Sequence, residues 1–102
     1  MNRPEYISIP DWNILLDKYK NNLDYLEKKL DEKYPIQYLI GDVSFYGCPI
    51  IVNENVLIPR FETELLVENT IKLLKELNID NPKIFEIGTG SGCISMALSK
   101  NI

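Results

Sequence analysis

A chain of 102 residues has room for one small domain with a modest core, and not for two independent domains of ordinary size. Apolar residues make up 45% and charged residues 25%, a folded protein's composition, while 15 acidic against 11 basic side chains leave a net charge of -4, which excludes a broad basic footprint for direct nucleic-acid binding. Histidine is absent, so imidazole metal sites and Ser-His-Asp or Cys-His triads are excluded.

The amino terminus, Met1-Asn2-Arg3-Pro4-Glu5-Tyr6, has no basic patch leading into an apolar run, and no stretch is long and apolar enough to span a bilayer, so neither export nor a membrane partner is expected. From Asp11 to Lys33, Trp12, Leu16, Tyr19, Leu23, Leu26 and Leu30 recur at spacings of four and three, the stripe of an amphipathic helix. Asn21-Asn22 falls midway and can end one helix and cap the next, so one helix and a helical hairpin both remain open. The interleaved lysines and acids of this stretch read as a solvated face, and Trp12 and the tyrosines Tyr6, Tyr19, Tyr25, Tyr34 and Tyr38 as packing or interface residues.

Pro35 ends the helical texture. Val43 to Tyr46 and Ile50 to Val52 read as two strands around a tight turn at Gly47-Cys48-Pro49, with Gly47 suited to positive φ. After the polar break Asn53-Glu54-Asn55, a short extended run, Val56-Leu57-Ile58, closes at Pro59. Glu62 to Leu77 is predicted as a helix burying Leu66, Thr70, Leu73, Leu74 and Leu77, with acids in its first turn, lysines near its end and a stop at Asn78. Ile84 to Ile87 is an apolar run of strand length, followed by glycines and a helix over Cys93 to Lys100. Cys48 and Cys93 have no CxxC spacing and are expected to be reduced thiols of a cytoplasmic protein, with Cys93 a helix-packing residue.

Gly88-Thr89-Gly90-Ser91-Gly92 occupies the handover from strand to helix, where α/β sheets bind ligands. The dinucleotide fingerprint requires a small third residue where Cys93 stands, and no Gly-Lys-Ser/Thr follows for a P-loop. Acid-x-Gly-x-Gly-x-Gly remains, as Glu86 to Gly92, and it resembles the first motif of the Rossmann-like S-adenosylmethionine methyltransferases. A carboxylate there suits a ligand carrying an ammonium and a sulfonium. The plain alternative is a structural glycine turn beside a solvated acid.

Pro35-Ile36-Gln37-Tyr38-Leu39-Ile40-Gly41, then Phe45-Tyr46-Gly47, then Val56-Leu57-Ile58-Pro59-Arg60-Phe61-Glu62-Thr63-Glu64 resemble, in order and spacing, the peptide chain release factor glutamine methyltransferases (the PrmC/HemK family). With the glycine loop, the resemblance runs from Pro35 to Lys100. The family usually has proline at the place of Phe61 and aspartate at that of Glu86. The resemblance implies an α/β fold. A small helical substrate-docking region (1–37) and a β-hairpin connector (38–58) precede the first strand, loop and helix of a Rossmann-like S-adenosylmethionine methyltransferase domain (59–102), incomplete here. It implies S-adenosylmethionine as cofactor, bound by Glu86, Gly88, Thr89, Gly90, Ser91 and Gly92, with Arg60, Glu62, Thr63 and Glu64 bordering the pocket. For these last four, simple helix-opening chemistry is an equal reading.

The reaction so implied is methyl transfer to the glutamine amide nitrogen of a release factor's Gly-Gly-Gln motif. The family's Asn-Pro-Pro-Tyr loop does not occur among the 102 residues, so no catalytic residue is assigned. The expectation is of a truncated chain that is inactive alone. A non-catalytic release-factor-binding module is the principal alternative, and an incomplete nicotinamide-dependent oxidoreductase a distant one.

Overall fold

The computed structural model describes residues 1–102, and they divide into two units, Met1–Gly41 and Asp42–Ile102. In the first, Ser8 opens α1 (Ile9–Lys18): its hydroxyl accepts the Asp11 N–H at 3.2 Å, and Pro10 and Asp11 occupy the first turn, where a missing N–H costs nothing and a negative charge is favoured. The open question at Asn21-Asn22 resolves as two helices. Asn22 leaves helical backbone (φ -152°, ψ 53°) and begins α2 (Leu23–Asp31), without a side-chain cap bond.

Lys33 adopts φ 58° and turns the chain out of α2, the Tyr34 N–H reaching the Lys29 carbonyl at 3.0 Å, a helix-closing pattern. Pro35 then stands at the N-cap of a five-residue helix, α3 (Ile36–Ile40), ending at Gly41 with φ 101°. The sequence reading did not foresee α3, because so short a helix behind a proline has no measurable period.

Ile7, Trp12, Leu15, Leu26 and Leu39 are buried together, with Leu16, Tyr19, Leu30, Tyr34, Ile36 and Ile40 packed against them. The predicted stripe is therefore the core-facing one except at Leu23, which is 42% exposed. The final carbonyls of α3 lack intrahelical donors. Lys18 Nζ donates to the Leu39 and Ile40 carbonyls at 2.8 and 3.0 Å, and the Tyr19 hydroxyl to that of Leu39 at 3.0 Å.

Burial, and secondarily the neighbouring Tyr25 phenol, push the Tyr19 pKa above the ordinary 10.0. A folded pKa raised above the unfolded one means that the neutral phenol's contribution is complete below about pH 10 and is lost as pH rises through the folded value. Urea midpoints should accordingly fall in alkali for the wild type and less for Tyr19→Phe. Parallel falls in the two proteins would show that Tyr19 is not the group responsible.

In the second unit, β1 (Asp42–Phe45) pairs antiparallel with β2 (Cys48–Ile51), from Asp42↔Ile51 to Phe45↔Cys48. That register leaves Tyr46 and Gly47 as a two-residue turn with φ 50° and 77°, the mirror-image geometry that suits the twist of paired strands. Gly47 thus has its expected conformation. Cys48 and Pro49 belong to β2 rather than to the turn, a correction to the predicted strand limits.

Helix α4 (Thr63–Glu76) forms as predicted, and Asn78 closes it at φ 55°, but its buried face differs. Val67 is fully buried, with Thr63, Thr70, Ile71 and Leu74 partly so, whereas Leu66, Leu73 and Leu77 are 54%, 53% and 58% exposed. The helix is apolar around two faces, and periodicity alone cannot choose the one that packs against α5 (Cys93–Asn101). The predicted strand Ile84–Ile87 is also corrected. It stays without a ladder, its Phe85 and Ile87 side chains 90% and 88% exposed, because a strand exists only through a hydrogen-bonded neighbour. The architecture is thus a small mixture of helices with one antiparallel hairpin. No helix is long and apolar enough to cross a membrane.

Candidate functional site

The glycine loop bends the chain sharply between the Ile84–Ile87 run and α5. Gly88, Gly90 and Gly92 have φ of 71°, 58° and 81°, left-handed values that side chains with a Cβ adopt only with strain. The loop closes through the Gly92 N–H on the Thr89 carbonyl at 2.9 Å, and α5 begins as the Met96 N–H reaches the Gly92 carbonyl at the same distance. Gly92 supplies no side-chain cap, so the first N–H groups of α5 are left by helix geometry without intrahelical acceptors.

Glu86 is half-buried at the foot of this loop. Its Oε1 accepts from the Thr89 hydroxyl at 3.1 Å and from the Ser95 hydroxyl. Sequence reasoning did not single out Ser95, since a serine in the first turn of a helix gives no signal of its own.

Facing the loop is the segment that leads into α4. The Thr63, Glu64 and Leu65 N–H groups reach the carbonyls of Arg60, Phe61 and Glu62 at 3.0 to 3.1 Å, winding the chain into the helix. A cleft of about 230 Å³ runs between segment and loop, with Leu57, Ile58, Pro59, Arg60 and Thr63 on one side and Glu86, Gly88, Thr89, Gly90, Ser91, Cys93 and Ile94 on the other. Larger hollows of about 420 and 530 Å³ open elsewhere in the two units, but neither contains a residue of the Pro59–Glu64 segment or the glycine loop.

Of the residues singled out in the sequence, Arg60, Thr63, Glu86, Gly88, Thr89, Gly90 and Ser91 meet in the cleft. Gly92 lies just behind as the N-cap of α5. Glu62 and Glu64 stand apart from it. Glu62 is exposed at the N-cap of α4 without a capping bond, and the Glu64 carboxylate accepts the Tyr46 N–H at 2.5 Å, tying the first turn of α4 to the hairpin turn. Cys93 is buried and unbridged. The cleft therefore presents one carboxylate, one guanidinium, several hydroxyls and open backbone, a set suited to holding and orienting a polar ligand.

No protein-family model matches the chain. Among curated proteins, the release factor glutamine methyltransferase of Flavobacterium psychrophilum is 56% identical over 75 residues, which is 72% of this chain and 26% of the relative. That of Fusobacterium nucleatum is 42% identical over 84 residues, 81% of this chain and 23% of the relative. That of Streptococcus pneumoniae is 38% identical over 97 residues, 95% of this chain and 34% of the relative. These similarities place the chain among the methyltransferases. Within that class, it belongs to the release factor glutamine methyltransferase family. The chain spans about a quarter to a third of the length of these curated relatives.

Proposed function

We propose that the cleft between the 57–63 segment and the glycine loop receives S-adenosylmethionine, and that these residues serve methylation of the Gly-Gly-Gln glutamine of release factors. The observation that carries this reading is the meeting of two motifs distant in sequence, Pro59-Arg60 with Thr63 and Glu86 with the glycine loop, in one cleft. The residues suit the cofactor's chemistry. Glu86 offers a carboxylate to a cationic amino-acid end, the left-handed glycines leave backbone open to close approach, and the first turn of α5 turns N–H donors toward the loop side. When bound, the cofactor supplies a methyl group on a sulfonium. An amide nitrogen is a poor nucleophile, so the protein's part is positioning and local electrostatics.

At about 230 Å³, the cleft is smaller than the roughly 300 to 1,000 Å³ of ordinary small-molecule sites, and it suits one end of the cofactor rather than the whole. In this reading, the loop and α5 are the opening turn and helix of a Rossmann-like methyltransferase domain, the unpaired Ile84–Ile87 run occupies the place of its first strand, and the helical amino-terminal residues dock the substrate. The 102 residues by themselves bind the cofactor weakly and transfer no methyl group, since the Ile84–Ile87 edge beside the loop stands unpaired and its side chains are exposed.

The test is a titration of the isotopically labelled chain with S-adenosylhomocysteine and, separately, with a nicotinamide dinucleotide, beside a methylation assay on a Gly-Gly-Gln release factor. Amide signals over 88–92 should move with the first ligand and not the second, with no methyl transfer. A silent loop would remove the cofactor reading, and release-factor binding with a silent loop would favour a non-catalytic docking module. Turnover by the chain alone would refute its inactivity.

A further inference from the structure

We infer that Ser95 is a positioning residue that aims the Glu86 carboxylate at the cationic end of the ligand in the cleft. The inference rests on the cofactor reading of that cleft and extends it to a residue outside it.

Glutamate is a flexible side chain, and an unrestrained one near a loop samples several rotamers. Here two hydroxyls converge on the same oxygen. Thr89 Oγ1 donates to Glu86 Oε1 from within the loop at 3.1 Å, and Ser95 Oγ donates to that oxygen from the first turn of α5. The carboxylate is thereby held from the loop and from the helix, while Oε2 takes part in neither bond. Glu86 and Thr89 line the cleft, but Ser95 does not. It lines the separate hollow formed with Asp80, Asn81, Pro82, Leu98 and Ser99. Ser95 therefore reaches the cleft's carboxylate through its hydrogen bond to Glu86. Hydroxyl donors to an ionised carboxylate make strong bonds, and a fixed acceptor loses less freedom on meeting a cation than a mobile one does.

The consequence is selective. A ligand with an ammonium on its amino-acid end gains from a fixed Glu86, whereas one that keeps the nucleoside and lacks that end does not. S-adenosylhomocysteine and methylthioadenosine make this comparison, followed through the amide signals of 88–92 in the full 102-residue chain. Ser95→Ala should weaken S-adenosylhomocysteine binding roughly tenfold and leave methylthioadenosine binding unchanged, and Ser95→Thr, which keeps the hydroxyl, should restore binding to within about twofold. Ser95 is exposed on a helix and alanine is a good helix former there, so the variant is expected to fold.

Equal weakening of both ligands would mark Ser95 as a support of α5 and overturn the inference. So would unchanged binding of both, or failure of Ser95→Thr to restore binding. If the wild-type loop responds to neither ligand, the cofactor reading itself falls and this inference with it, a result distinct from a responsive loop indifferent to Ser95.

Discussion

Truncation of Leu15 to alanine is expected to destabilise the first unit by about 2 to 5 kcal/mol, the cost of removing buried methyl groups and leaving the space they filled. Leu15 is fully buried among only five buried core residues, so neighbouring side chains have little freedom to close the gap. A unit of this size folds with a small margin, and a loss at the upper end of that range would leave it unfolded in buffer. Trp12 is the only tryptophan of the chain and belongs to the same core, so its fluorescence reports the unfolding of this unit directly. The urea midpoint should move far to lower concentration for Leu15→Ala. It should scarcely move for Leu23→Ala, whose side chain is 42% exposed and whose truncation falls among surface changes of about half a kcal/mol or less. Equal shifts in the two variants would mean that this core is not assembled around Leu15.

The contrast between those two leucines shows where a sequence stops informing. The stripe Trp12, Leu16, Tyr19, Leu26 and Leu30 was readable because helical period and burial coincide there. Leu15 lies one position off the counted stripe, and Ile7 and Leu39 come from a lead-in and a helix of five residues, too short to have a period. In α4, two apolar faces compete, and the choice of Val67 over Leu66 and Leu73 depends on what packs against the helix. Ile84–Ile87 has the composition of a strand, but a ladder is a property of two segments.

The candidate site divides in the same way. The glycine loop and the Pro59–Glu64 segment were legible as motifs, since their residue types are demanded by local backbone and helix-opening chemistry. Their nearness was implied only by the family resemblance, and nothing in the residues themselves carries it, because it depends on the path of the chain through the intervening helix. Nor was the division of labour among the acids. Glu64 fastens α4 to the turn at Tyr46, while Glu86, with Thr89 and Ser95, is the one that reaches the cleft.

Substitution of Gly90 separates the two reasons a glycine can be required. A Cβ built at Gly90 meets nothing within 4 Å, and the residue has φ 58°, so its local requirement is backbone conformation and not room. Valine is strained in the left-handed region, by roughly 1 to 2 kcal/mol, and asparagine tolerates it. Gly90→Val should therefore shift the loop's own amide signals before any ligand is added, whereas Gly90→Asn should leave them close to wild type. Ligand binding divides the cases further. Gly90 lines the cleft, and if S-adenosylhomocysteine approaches the bare backbone there, the asparagine side chain obstructs it although the loop is intact. Both variants should then lose the response over 88–92, the valine with a distorted loop and the asparagine with a native one. Retained binding by Gly90→Asn would place the ligand away from this backbone and leave the glycine with a conformational role alone.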